Sequence, residues 1–243
     1  MSDGFLSRVA TLGQFRVDDP ERPVLSRDDD HHLRAVLRAA PGESVVVTDG
    51  HGAWAIAHVE PNGLELVTPV EHEPEPVART LYLAPLKGDR SEWAVVKATE
   101  LGVSSIVPLI SERVAVRFRA DARVKVLARW RRLVHEASAQ SRRVHYPTIG
   151  EPVTPRDVPD HVAVAEFAGG ERWSGVTAVA IGPEGGWSDG EWDEDRPRLA
   201  LGRTVLRAET AAVAAATLLA FHSAEWRWPH GPRQMGNDES SYD

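Results

Sequence analysis

From Arg79 onward, apolar runs of strand length alternate with segments of helical periodicity, and this alternation restricts the chain more than any other feature. Strands separated by helices must cross over to pair, so the sheet is expected to be mostly parallel and covered by helices. The run LYLAPL (81–86) is expected as a strand and SEWAVVKATELG as a helix that stops at Gly102. SSIVPLI forms the next strand. A helix follows from about Arg123 to Ser141, with Val126, Trp130, Leu133, Val134 and Ala137 on one face. HVAVAEF, TAVAIG and the short RLALG supply further strands, and the alanine-rich stretch from Ala208 to Trp226 makes a long helix. In such a sheet ligands bind beyond the carboxyl ends of the strands.

Two strand exits attract attention for that reason. TAVA leaves through Ile181-Gly182-Pro183-Glu184-Gly185-Gly186, and RLAL leaves through Gly202 into Arg203-Thr204-Val205-Leu206-Arg207-Ala208-Glu209-Thr210. Glycine lets a ligand approach the backbone without meeting a Cβ, and proline stiffens the exit. Either loop alone reads as a tight turn or a capped helix start. Together, separated by one short expected helix, they can wall opposite sides of a single pocket. A third loop, Pro85-Leu86-Lys87-Gly88-Asp89-Arg90-Ser91-Glu92-Trp93, is charged and leads into a helix, with Asp89 or Ser91 as the expected cap.

The first 75 residues are of another kind. Ser26 and Asp29 form a capping-box pattern ahead of Leu33, Val36, Leu37 and Ala40 at helical spacing, and Pro41-Gly42 stops that helix. ESVVVTDG, AWAIAHVE and LELVTPV then read as short strands joined by turns at Asp49-Gly50 and Pro61-Asn62-Gly63, which suggests a small barrel. The acidic, proline-rich EHEPEP (71–76) is expected as the linker between this unit and the sheet. The expected division is therefore 1–75, 76–228 and a disordered tail, 229–243.

Several chemistries are excluded or unsupported. The chain has no cysteine, which removes disulfides, thiolate metal sites and cysteine nucleophiles and fits a reducing compartment, so a cytoplasmic location is expected. No segment is apolar enough for a membrane span, and the start lacks the features of an export signal, so no membrane association is expected. There is no Gly-Lys-Ser/Thr phosphate loop, no GxGxxG, no His-Glu-x-x-His and no Gly-x-Ser-x-Gly. His31-His32 follows three aspartates, yet adjacent helical residues point apart, and no metal site is expected. The net charge of −8 disfavours polyanions as a whole, but between Glu112 and Arg143 ten cations face three anions. So one-sided a segment is expected to be more than a salt-bridged surface.

KGDRSEWAVVKATELGVSSIVPLISER (87–113), IGPEGGWSD (181–189) and LGRTVLRAETAA (201–212), in that order, resemble the bacterial 16S ribosomal RNA uracil-N3 methyltransferases of the SPOUT superfamily. HHLRAVLRAAPGESVVVTDG (31–50) is similar to that family's PUA-like N-terminal barrel. The resemblance implies an α/β sheet with a trefoil knot, S-adenosylmethionine held in the knotted loops, a homodimer, and a uridine of 16S ribosomal RNA as substrate. By position it implies cofactor contacts from Ile181, Gly182, Pro183, Glu184, Gly185, Gly186, Leu201, Gly202, Val205, Leu206 and Thr210. It implies Arg207 first and Arg90 second as the arginine that stabilises a uridinate, with Glu209 accepting the proton or orienting Arg207. RNA contacts are expected from Arg113, Arg129, Arg132, Gln140 and Arg143. Of the family's Glu-Gln-x-Gly-Arg pattern after the basic helix only Gln140 and Arg143 are kept, and the segment 187–200 is short. The readings that stay open are a SPOUT enzyme for another RNA and a non-catalytic RNA-binding protein.

Overall fold

The computed structural model describes residues 3–114, 120–170 and 173–221. The end of the expected last helix and the tail 229–243 lie outside the described residues.

The N-terminal unit opens with helix α1 (Asp3–Val9) and strand β1 (Gln14–Arg16), which pairs in parallel with β2 (Ser44–Thr48). Between them lies α2 (Arg27–His31), continuing as one π-helical turn, His32–Val36. Its start is capped as the sequence implies: the Ser26 hydroxyl accepts from the Asp29 N–H at 3.1 Å and donates to the Asp29 carboxylate at 2.7 Å. β2 pairs antiparallel with β3 (Ala53–Glu60), and β3 pairs with both β4 (Gly63–Leu66) and β5 (Glu71–His72). The first two residues of EHEPEP are thus an edge strand rather than linker. Phe15, Leu33, Val45, Val47, Ala55, Ala57 and Val59 form the core of this unit.

The second sheet has six strands in the order β11-β9-β10-β6-β7-β8, and every pairing in it is parallel. These are β6 (Thr80–Leu83), β7 (Ser105–Pro108), β8 (Thr148–Ile149), β9 (Ala163–Gly170), β10 (Ala178–Ile181) and β11 (Arg198–Leu199). Three helices, α3 (Arg90–Glu100), α4 (Ala120–Gln140) and α5 (Ala208–Phe221), cover one face. Leu81, Leu83, Val179 and Ile181 point into that layer, where Trp130 of α4 is 1% exposed. The alternate residues Tyr82, Ala178, Ala180, Val162 and Val164 pack on the other face with Val158, Trp187 and Trp192. Burial on both faces explains why these strands read as unbroken apolar runs.

That second face corrects one expectation. Among the described residues, 182–197 contains no helix, only turns closed by bonds such as Gly186 N–H to Pro183 O and Arg196 N–H to Asp193 O. The segment covers the sheet with indoles instead: Trp187 and Trp192 meet edge to face at 5.1 Å, and the Arg196 guanidinium lies 5.0 Å from the Trp192 ring. Two large aromatic side chains bury what a short helix would have buried, and the edge-to-face geometry adds about 0.5–1.5 kcal/mol.

The two units are tied along one seam. The Gln14 amide donates to Arg143 O at 2.6 Å, Arg142 Nη2 donates to Thr11 O at 3.0 Å, and the Gly52 N–H donates to Val144 O at 3.0 Å. Arg143, expected as an RNA contact, turns inward here: its Nη1 donates to Thr99 O at 2.6 Å and Val103 O at 2.8 Å. Burial, with Arg79 nearby, pushes its pKa down to about 10, so it stays charged at neutral pH. The reason lies in the backbone, since α4 ends and Arg142 takes a left-handed φ of 60°, which swings the next side chain off the solvent face. Replacing Arg143 with leucine leaves the buried Val103 carbonyl without that donor and Thr99 O with only the Gly102 N–H, and a loss of about 1–3 kcal/mol is expected. Chemical denaturation measures it; a midpoint equal to the parent's would show that this guanidinium does not hold the seam.

Candidate functional site

Parallel strands deliver their carboxyl ends to one edge of the sheet, and a cavity of ≈ 300 Å³ opens there. Three chain segments wall it. From the exit of β10 come Ile181, Gly182, Pro183, Gly186 and Trp187. From the exit of β11 come Leu201, Gly202, Thr204, Val205 and Leu206, followed by Ala208 and Ala211 of α5. The third wall, Ala165, Glu166 and Phe167, belongs to β9.

Sequence reasoning places the first two walls and misses the third. β11 is paired to β9 with a register jump, Arg198 to Val164 and Leu199 to Gly170, so five residues of β9 swing out of the ladder. Such irregularities re-aim side chains, and here they present Ala165–Phe167 to the cavity. The jump is closed by a contact that only glycine permits: a Cβ on Gly169 would stand 2.5 Å from the Leu199 carbonyl carbon. The one signal available in the sequence was that HVAVAEF, as a parallel strand, also had to end at this edge.

Gly182 faces the Trp187 indole, whose Nε1 donates to Ala165 O at 3.2 Å; a Cβ on Gly182 would meet that ring at 3.0 Å. Gly186 and Gly202 have φ of 68° and 151°. Gly185 has no left-handed φ and does not line the cavity; its carbonyl accepts from Arg113 Nη1 at 3.2 Å. Glu184 and Thr210 are also outside the lining.

Beside the cavity, Glu184 reaches the third loop, where its Oε1 accepts from the Lys87 N–H at 3.1 Å. Burial pushes this carboxyl up, but backbone N–H groups and the charges of Arg90 and Lys87 outweigh it and hold it below the usual range. Arg90 stands between two carboxylates, 3.7 Å from Glu184 and 3.8 Å from Glu209. Both distances are beyond a hydrogen bond, so the guanidinium is attracted by both without being consumed by either. Glu209 Oε2 is buried and accepts no hydrogen bond among the described residues. Arg207 is exposed and does not contact Glu209, so orientation of Arg207 by Glu209 is not what the geometry provides.

The basic helix is less free than its composition implies. Arg129 pairs with Glu92 at 3.0 Å and Arg132 with Glu136 at 2.6 Å, while Arg123 and Arg131 share Glu151. Two of the balancing carboxylates, Glu92 and Glu151, come from outside the segment, which a local charge count could not register. Among the described residues no group of three or more His, Asp or Glu side chains is placed to hold a metal ion, and no helix is long and apolar enough to cross a membrane.

Comparison with known proteins bears on this geometry. Residues 73–220 match a family model described as an RNA methyltransferase domain, and residues 25–67 match an RNA methyltransferase PUA domain. Ribosomal RNA small subunit methyltransferase E of Synechocystis is 31% identical over 212 residues, 76% of this chain and 68% of that protein. The protein of the same name from Mycobacterium bovis is 29% identical over 231 residues, 84% and 87% of the two chains. Among solved structures, a Legionella pneumophila methyltransferase with bound SAM superposes with a TM-score of 0.73 at 28% identity, covering 86% of this chain and 96% of that one. Ribosomal RNA small subunit methyltransferase E from Neisseria gonorrhoeae, bound to S-adenosyl methionine, gives a TM-score of 0.68 at 30% identity, covering 84% and 94%. With more than half of its length matched by the first model and a PUA domain ahead of it, this chain belongs to the RNA methyltransferase family.

Proposed function

We propose that the protein is an S-adenosylmethionine-dependent methyltransferase that acts on N3 of a uridine in 16S ribosomal RNA. The observation that carries this reading is the cavity at the strand exits, glycine-lined and largely apolar, with Arg90, Glu184 and Glu209 beside it. The names and bound cofactors of the relatives support it. So does the fit of the residues: Ile181, Leu201 and Leu206 offer apolar walls, and Gly182 and Gly202 leave the backbone open to close approach.

The cofactor, when bound, supplies an electrophilic methyl group; the chain binds, orients and stabilises charge. Uridine N3 becomes nucleophilic only as its imide proton leaves, and the negative charge then spreads onto the flanking carbonyl oxygens. Arg90, rather than Arg207, is assigned to those oxygens, because its donors are held in place by two carboxylates yet remain unspent. Glu209 is assigned to the imide N–H, since its buried Oε2 is an acceptor that no group among the described residues satisfies. Glu184 is then a positioning residue for the loop that carries Arg90, not a cofactor contact.

The finer architecture belongs to the same reading. The chain leaves β11 at the sheet edge and returns through 200–207 to α5, which packs near the middle strands, a path that supports the trefoil knot. β3 pairs along one edge with β2 and along the other with β5 and then β4, which supports a PUA-like barrel within 1–75. Residues 76–228 are then the catalytic unit. A second copy is assigned to the apolar surface beside the cavity, where Phe167 and Val205 are 63% and 85% exposed. A cytoplasmic location follows from the substrate.

Three measurements test the assignment. Gly182→Val should weaken S-adenosylmethionine binding by about a hundredfold in calorimetry, since its branched side chain meets the Trp187 ring and fills the cavity. Gly185→Val should bind nearly as the parent does; equal losses would place both glycines in the cofactor site. Arg90→Ala should slow single-turnover methylation of small-subunit RNA by about 10²–10³-fold with cofactor affinity little changed, and Arg207→Ala should slow it much less. Mass spectrometry of the product nucleoside reads the reaction itself, and the absence of N3-methyluridine would overturn the substrate assignment.

A further inference from the structure

A second concavity lies away from the strand exits, along the seam between the two units. Its volume is ≈ 1120 Å³, and it shares no lining residue with the cavity described above. One wall is the N-terminal unit, from Leu12 to Asp18 and along the start of α2; the other is the last two turns of α4 and Arg142.

The floor holds an unsatisfied acceptor. Gln14 is 5% exposed, and its Nε2 donates to Arg143 O at 2.6 Å, which fixes the amide with Oε1 as the free end. That oxygen is buried and accepts no hydrogen bond among the described residues. Aromatic rings flank it: Phe15 meets His32 edge-on at 6.4 Å, and His135 meets Tyr146 at 5.3 Å. Burial pushes the His135 imidazole down, which favours the neutral ring. Charge is divided between the walls. Asp18, Asp28 and Asp29 lie on the side of the N-terminal unit with Arg16, while Arg132 and Arg142 lie on the helix side with Glu136.

We propose that this groove holds one unpaired nucleotide of the RNA substrate, other than the methylated uridine, and selects a base that carries an exocyclic amine. The inference rests on the RNA methyltransferase reading above. A buried acceptor calls for a donor from a ligand. Unpaired bases stack on aromatic rings and present their edges for hydrogen bonding, and the exposed His32, backed by the buried Phe15, and the half-buried His135 offer such rings. The groove suits the base rather than the phosphodiester edge: Arg132 is paired with Glu136 and Arg142 donates to Thr11 O and Ala139 O, whereas amino groups of adenine, cytosine or guanine suit Gln14 and the carboxylate wall. Uracil sets two carbonyl oxygens against those carboxylates and is disfavoured. The same carboxylates make the groove a poor site for a bare phosphate ion.

The test uses full-length protein and fluorescently labelled RNA of about six nucleotides, oligo(rA), oligo(rC) and oligo(rU), followed by anisotropy. The adenine and cytosine strands should bind about tenfold more tightly than the uracil strand. Ala139→Phe fills the groove from α4 without removing a polar group, and His32→Ala removes an exposed ring; each should weaken oligo(rA) binding by about tenfold or more. Both should keep the parent's melting temperature and S-adenosylmethionine affinity. Should Ala139→Phe fail to fold, His32→Ala decides. Equal affinity for all three strands, or undiminished oligo(rA) binding by a folded variant, would overturn the proposal. Methylation of small-subunit RNA by the parent protein is measured in the same preparation, so a protein that binds oligo(rA) in the groove but transfers no methyl group would refute the methyltransferase reading alone.

Discussion

The parallel pairing of β10 with β6 on one side and β9 on the other is the constraint from which the rest follows. Parallel neighbours cannot be joined by tight turns, so each connection must cross a face of the sheet, and both faces become interior. Helices take one face, with Trp130 and the alanines of α5 as the packing surface. The same pairing sends successive strands to a single edge, so the bulged part of β9 and the loops after β10 and β11 meet whether or not they are close in sequence. The cavity is a product of strand direction first and of glycine second.

The close approach of chain to chain at that edge explains which glycines are irreplaceable. Gly169 admits the backbone of Leu199 and Ala200, and Gly182 admits the Trp187 ring. Gly185 looks equivalent in the sequence, yet its neighbours are the stem and carbonyl of Arg113 at ordinary contact distances. Spacing within GPEGG could not separate these roles, because each depends on what a distant part of the chain places against the glycine.

The same distinction accounts for what could be read from the sequence. Long periodic elements such as α3, α4 and α5, the buried strands β6, β9 and β10, and two of the three walls of the cavity were legible because local pattern determines them. β1, β5 and β8 were not, since strands of two or three residues carry no period and exist only through their partners. The absence of a helix in 182–197 was also illegible, because the demand it answers is the uncovered face of the sheet, met by Trp187 and Trp192. Arg143 read as one more cation in a basic run; its burial depends on the left-handed turn at Arg142, a conformation that the sequence Ser-Arg-Arg does not announce.

Charge behaves in this molecule as geometry, not as a total. The net value of −8 and the basic run at 113–143 pointed in opposite directions, and neither describes the surfaces that matter. Arg129 and Arg132 are neutralised by neighbouring carboxylates, and Arg143 is buried with its donors spent on carbonyls, so the surface presents less free positive charge than its composition implies. Arg90 is the reverse case. Two carboxylates approach it and neither binds it, which keeps a guanidinium aligned and its donors available at the mouth of an apolar cavity. In the proposed reaction a charge placed in this way would stabilise a developing anion with little reorganisation at the moment of reaction. An acidic protein can therefore act on a polyanion, provided that the few cations which meet it are placed by long-range contacts rather than gathered by composition.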